Sequence, residues 1–130
     1  MNVVVDTNVI VSALINANGV PARVLSLVLG GSIRILYDNR IIFEYVEVLS
    51  MNKFGFSKNA INSVIVYIKH SGEFINSEPI KRPFSDESDK KFYEVYKSAP
   101  AQYLITGNLK HYPQEDAIVS PRDFLRIYES

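Results

Sequence analysis

The sequence predicts an α/β fold, with a parallel sheet covered by helices on both faces. Two observations carry this. Short runs such as Val3-Val4-Val5 and Tyr103-Leu104-Ile105 are apolar throughout, as strands buried on both faces require. Longer stretches with apolar residues at helical spacing lie between such runs, so strands and helices alternate along the chain. The 130 residues suit a single domain, 1–130, and no repeat or linker divides them.

The first strand ends at Asp6, where a charge arrives as the valine run stops. That places Asp6 at the carboxyl edge of the sheet, where open α/β folds bind ligands. Thr7 or Asn8 is expected to cap a helix beginning near Val9, with Val9, Ile10, Ala13 and Leu14 at helical spacing. Asn16 to Gly19 signals a turn. Pro21 suits the first turn of a second helix carrying Val24, Leu25 and Val28, and Gly30-Gly31 stops it. Ile33 to Tyr37 reads as the second strand.

Asp38 is expected to cap a third helix that runs to about Met51. Its apolar stripe is Ile41, Ile42, Tyr45, Val48 and Leu49. Glu44 stands at the margin of that stripe, half turned toward the core, while Glu47 points further into solvent. Ser57 caps a fourth helix with Ile61, Val64, Ile65 and Ile68 on one face, and Gly72 ends it. Glu73 to Asn76 reads as a short strand. Ser77 to Ser85 is polar and reads as an exposed, mobile crossing loop.

Asp86-Glu87-Ser88-Asp89 opens the next helix, with Phe92, Val95 and Tyr96 inward and Pro100 at its end. Tyr103 to Thr106 is a buried strand closed by Gly107-Asn108. Ala117 to Val119 is a short strand, and Pro121 starts a last helix with Phe124, Leu125 and Tyr128 on its inner side.

Composition narrows the chemistry. There is no cysteine, which excludes disulfides and thiolate metal sites and fits a reducing, cytoplasmic setting. Lys plus Arg and Asp plus Glu are 14 each, so a strongly basic nucleic-acid footprint is missing, although a local patch can still bind RNA. No apolar run approaches a membrane span. No positive charge precedes the first apolar run, so no signal peptide is expected.

Asp6, Glu44, the Asp86/Asp89 pair, and Thr106 with Asn108 can converge at one sheet edge. Crowded carboxylates repel one another, and a divalent cation between them relieves the repulsion. Oxygen ligands without cysteine favour Mg²⁺ or Mn²⁺. Such an ion serves metal-assisted hydrolysis of a phosphodiester. Each member also has a plainer reading: Asn8 as a helix cap, Glu44 as a helix margin, Asp86 and Asp89 as cap and first-turn charge, Thr106 as a strand-end hydroxyl. Lys110 is a candidate phosphate contact and His111 a candidate for substrate contact or proton transfer. The plainer reading of both is a surface turn held by Pro113. Lys81, Arg82, Lys90 and Lys91 flank the acids, either to grip an RNA backbone or as solvated surface charge.

In order and spacing these residues resemble the PIN-domain family, in particular its bacterial and archaeal toxin components of toxin–antitoxin systems. The resemblance runs through Val5-Asp6-Thr7-Asn8-Val9, Pro21-Ala22, Glu44, Asp86 to Tyr93, Tyr103 to Asn108, Lys110-His111-Tyr112-Pro113 and Ser120 to Leu125. It covers nearly the whole chain. It implies a PIN-like three-layer fold with an acidic pocket. It implies a Mg²⁺- or Mn²⁺-dependent endoribonuclease acting on RNA, with a cognate antitoxin as partner and pairing into a homodimer. Carried over by position, Asp6, Glu44 and Asp89 resemble the first three metal-binding acids, and Thr106 the auxiliary hydroxyl.

Two positions depart from the pattern. The family usually has Asp where this chain has Asn108, and often Asp where it has Ala101-Gln102. An amide oxygen ligates a metal or orients a water without adding charge, so weaker Mg²⁺ binding is expected, with Asp86 offsetting part of the loss. This motivates a second reading, a catalytically weak or inactive PIN-like module that binds RNA or a protein partner. A fainter resemblance to haloacid-dehalogenase-type phosphatases lacks their second Asp, at Asn8.

Overall fold

The computed structural model describes residues 1–130. Five parallel strands form the sheet: β1 (Asn2–Val5), β2 (Arg34–Tyr37), β3 (Glu73–Phe74), β4 (Tyr103–Ile105) and β5 (Ile118–Val119). Their spatial order is β3-β2-β1-β4-β5. Val3 sits opposite Ile35 on one side, and Val4 and Val5 sit opposite Leu104 and Ile105 on the other. Successive strand side chains point to opposite faces. Val3, Val4 and Val5 are all at most 1% exposed, so both faces of the central strand are covered.

Six helices supply that cover: α1 (Thr7–Ile15), α2 (Val20–Leu29), α3 (Asn39–Leu49), α4 (Lys58–Ser71), α5 (Lys90–Ser98) and α6 (Pro121–Glu129). This is the α/β architecture expected. Helix α5 lies across β2, β1 and β4, and α1 packs on α2 and α3. Phe92 of α5 is fully buried, a burial worth about 2–3 kcal/mol. Tyr45 of α3 is also fully buried, and its hydroxyl donates to the Val5 carbonyl, meeting the need of a polar tip inside a core.

Local signals explain most helix ends. Asp38 accepts from the Ile41 N–H, Ser57 from Ala60 and Ser120 from Asp123. Gly31, at φ 82°, takes a conformation that stops α2 cheaply. A Cβ at Gly72 would strike the Ile35 carbonyl, so glycine lets the end of α4 meet β2.

Several boundaries differ from expectation. Helix α1 begins at Thr7, so Asp6 itself is the N-cap residue, with extended backbone and no side-chain cap bond. Thr7 and Asn8 are therefore not caps; both side chains are used elsewhere. Asp86 to Asp89 forms a short 3₁₀ turn ahead of α5, with Asp86 accepting from the Ser88 N–H. The loop over 77–85 exposes Lys81, Arg82 and Pro83 but is pinned along its length. Glu78 N–H donates to Ser98 Oγ, Ile80 N–H donates to Glu94 Oε2, and Phe84 packs on Tyr93 and Tyr112.

The chain moves from β1 outward to β2 and β3, then crosses back to β4 on the other side of β1. The direction reverses between β1 and β4, and a crevice opens at their carboxyl ends. Asp6 and Thr106 are the first residues beyond those two ends.

Candidate metal centre

Asp6 is almost wholly buried at this switch point. Its N–H continues the ladder to the Ile105 carbonyl at 2.9 Å. Its Oδ2 accepts the Thr106 hydroxyl at 2.8 Å and the Tyr112 hydroxyl at 3.0 Å. Burial pushes the Asp6 carboxyl above the ordinary carboxylate range. The hydrogen bonds from Thr106, Tyr112 and the Asn8 backbone oppose this, and the charge on Glu44 adds to it.

Glu44 reaches the same place from α3, half-buried as its margin position predicts. Its Oε2 accepts the Thr7 hydroxyl, and its Oε1 lies 2.6 Å from Lys91 Nζ. Asp89 arrives at the start of α5. Desolvation raises its carboxyl first, and the charge of Asp6 raises it further. A bond of 2.8 Å between Asp89 Oδ2 and His111 Nδ1 pulls the other way. Asp86 is exposed, and its carboxyl is held below the ordinary range, chiefly by the Ser88 hydroxyl and N–H.

Three acids from distant segments are thus linked through Asp6 at the carboxyl edge of the sheet: the charge of Glu44 acts on Asp6, and that of Asp6 acts on Asp89. The tightest potential ligand set is a different one. Asp86, Asp89 and His111 place ligand atoms within 4.8 Å of each other. The His111 side chain therefore lies against this acidic group, bonded to Asp89.

Other expected residues fall outside it. Asn108 is exposed, and its side chain bonds none of the acids; its backbone N–H donates to Thr106 Oγ1 at 3.0 Å. It lines a small cleft with Asn8, Ser12 and Pro121. Asn8 Oδ1 accepts the Gly107 N–H at 3.1 Å, tying the start of α1 to the end of β4. Lys110 is exposed and lines a cleft with Arg82, His111 and Tyr112.

The sequence assigns no role at the centre to Tyr112, to Thr7 beyond a helix cap, or to an ion pair of Glu44 with Lys91. The placement of Thr7, next to Asp6 at a helix start, was a usable signal. Nothing local marks Tyr112. Also unforeseen is a half-buried network beside the centre. Arg40 binds Asp38 Oδ2 at 2.6 Å and Glu94 Oε1 at 2.8 Å, and Ser77 joins it. Asp38 and Glu94, both buried, are thereby satisfied and stand apart as structural acids.

The donor set suits a hard divalent cation. It offers carboxylate oxygens and one imidazole, with no sulfur, and its acids are crowded enough to gain from a shared positive charge. Asp86, Asp89 and His111 are the side chains whose ligand atoms lie together, and Asp6 is near enough for its charge to act on Asp89.

A family model described as PIN domain matches residues 2–110. The chain is also similar to the uncharacterized protein MJ1680 of Methanocaldococcus jannaschii, at 32% identity over 112 residues, covering 83% of this chain and 71% of that protein. PIN domains are generally nucleases. A parallel sheet with acids gathered at its switch point agrees with these matches, and the chain belongs to the PIN-domain family.

Proposed function

We propose that this protein is a metal-dependent endoribonuclease that hydrolyses RNA phosphodiesters with Mg²⁺ or Mn²⁺. One observation carries the reading: Asp6, Glu44 and Asp89, far apart in the chain, come close enough that the charge of Glu44 acts on Asp6 and the charge of Asp6 acts on Asp89. Hydrolysis adds the oxygen of water to phosphorus and breaks one P–O ester bond, with a proton passing to the leaving alkoxide. A bound divalent ion supplies Lewis acidity at the phosphoryl oxygen and a more acidic water. Tyr112 and Thr106 hold the Asp6 carboxylate in a fixed orientation. Asp89 Oδ2 and His111 Nδ1 lie at hydrogen-bond distance, which orients both side chains. Arg82 and Lys110, beside His111, are suited to backbone phosphates.

The test is cleavage of single-stranded RNA by purified protein with Mn²⁺ or Mg²⁺. Wild type is expected to cut and Asp6→Asn to lose the activity. Identical behaviour of the two across RNAs and metals overturns the reading. A toxin role with a protein antitoxin, and pairing into a homodimer, belong to the same proposal and are supported by family resemblance. The sequence pattern alone, with Asn108 where the family usually has Asp, favours a second reading: a PIN-like module that binds RNA or a protein partner without cutting RNA. RNA binding by wild type with no cleavage under any metal would select it.

A further inference from the structure

Lys90 and Lys91 are neighbours in sequence but differ in setting. Lys90 Nζ stands 3.9 Å from the exposed Glu87. Lys91 turns into the acidic pocket with 14% of its side chain exposed. Its ammonium lies 2.6 Å from Glu44 Oε1 and donates to the Ser88 carbonyl. The Thr7 hydroxyl occupies the other oxygen of Glu44. Both oxygens of that carboxylate are therefore engaged, one of them by a full positive charge. A divalent ion using Glu44 Oε1 must displace that ammonium, because two cations cannot share one oxygen at contact distance, and one using Oε2 must displace the Thr7 hydroxyl and sit close to a second positive charge.

Other basic groups nearby are committed elsewhere. Arg40 is held by Asp38 and Glu94, and Lys97 by Glu115. A groove of about 770 Å³ opens outside Glu44, lined by Arg40, Lys90 and Lys91 and by the carboxylates of Glu47, Glu87 and Glu94, and gives the displaced ammonium room and partners to move to. Lysine suits this use: a compact point charge on a flexible four-carbon stem that readily changes partner.

We propose that Lys91 is the resident cation of the centre and a substrate-binding residue. Its ammonium neutralises Glu44 until a divalent ion takes that carboxylate, then contacts a non-bridging oxygen of the RNA phosphate. The second half rests on the nuclease reading above; the first does not.

The experiment titrates Mn²⁺ alone, by calorimetry, into wild type, Lys91→Met, Lys91→Gln and Lys91→Arg, with circular dichroism to confirm folding. The neutral variants are expected to bind Mn²⁺ about tenfold tighter, and Lys91→Arg to match wild type. A lysine that merely links α3 to α5 would leave Mn²⁺ affinity unchanged or lower it when removed, and either result in a folded neutral variant overturns the proposal. A labelled 2′-O-methyl RNA, which does not depend on cleavage, is then bound at saturating Mn²⁺ and read by anisotropy. The neutral variants are expected to bind it about threefold weaker or worse. Unchanged RNA binding overturns the phosphate contact. If wild type cleaves no RNA, the nuclease reading fails, while the Mn²⁺ comparison still decides whether Lys91 competes with the ion.

Discussion

Tyr112 donates its hydroxyl to Asp6 Oδ2 at 3.0 Å, the oxygen that already takes the Thr106 hydroxyl. Two O–H donors on one oxygen leave Oδ1 with no side-chain donor. The carboxylate is thereby fixed in rotation and hydrogen-bonded through one oxygen. The phenol stays protonated, since burial and the charge of Asp6 push its pKa far above the ordinary tyrosine value. Tyr112→Phe keeps the edge-on ring contact with Phe84 and removes only the donor. The expected cost is about 1 kcal/mol of stability, the usual worth of such a bond. Mn²⁺ affinity should fall about threefold, since the charged form of Asp6 loses a partner. Calorimetry and thermal melts check both; unchanged Mn²⁺ binding would mean Tyr112 supports the fold alone.

The raised pKa of Asp6 fixes the sign of a pH effect. Desolvation, its largest cause, makes the folded state hold this proton more tightly than the unfolded chain does. The associated stability is full below the ordinary carboxylate range and is lost as pH rises through the folded-state pKa. Without metal, Asp6→Asn should therefore be more stable than wild type at pH 7, by on the order of 1 kcal/mol, because a buried charge is removed. The gain should vanish near about pH 3, where wild type is protonated as well. Thermal melts at both pH values decide it. A lower melting temperature for the variant at pH 7 would show that lost bonds to Thr106 and Tyr112 outweigh the relief of burial.

What was legible in the sequence follows from the range of the forces involved. The valine run, the caps at Asp38, Ser57 and Ser120, and the stop at Gly30-Gly31 are local, and each lies within about a residue of its predicted place. Asp6 was legible because a charge after a buried strand has few places to go. The Lys91–Glu44 pair joins residues 47 apart in the chain, and Tyr112 meets Asp6 across 106. Such contacts depend on how α3 and α5 settle against the sheet, and no periodicity encodes that. The start of α1 differs from its local signal for a related reason. Asn8 resembles a cap locally, but its amide is drawn away to the Gly107 N–H by the β1–β4 pairing.

Arg40 bridges Asp38 and Glu94 with hydrogen bonds of 2.6–2.9 Å. The two carboxylates are buried, while the arginine side chain is half exposed. Arg40→Met leaves both acids without their cation. A fully buried pair broken this way costs 3–5 kcal/mol; solvent screening here reduces the expected loss to about 2 kcal/mol. Since Glu94 also receives the Ile80 N–H, the 77–85 loop should loosen, with faster amide exchange at Ile80. Denaturant melts and hydrogen exchange test the two effects separately. Unaltered exchange at Ile80 would show that Glu94 anchors the loop without help from Arg40.

Asn108 is where the chain departs from the family pattern, and its position gives a different expectation from its sequence. As a sequence feature, Asn108→Asp restores a fourth acid and should strengthen metal binding. In the structure the Asn108 side chain is exposed, makes no bond to Asp6, Glu44 or Asp89, and borders a cleft shared with Asn8 and Pro121. A carboxylate there acts through water at high dielectric, where a single added charge contributes little. His111, bonded to Asp89 and close to Asp86, already supplies another potential ligand on this side. Asn108→Asp should therefore change Mn²⁺ affinity by less than about threefold, whereas His111→Ala should weaken it by about tenfold or more. Calorimetry on the two variants side by side makes the comparison. A large gain from Asn108→Asp with no loss from His111→Ala would mean that the ion sits toward the end of β4, away from the 86–89 turn.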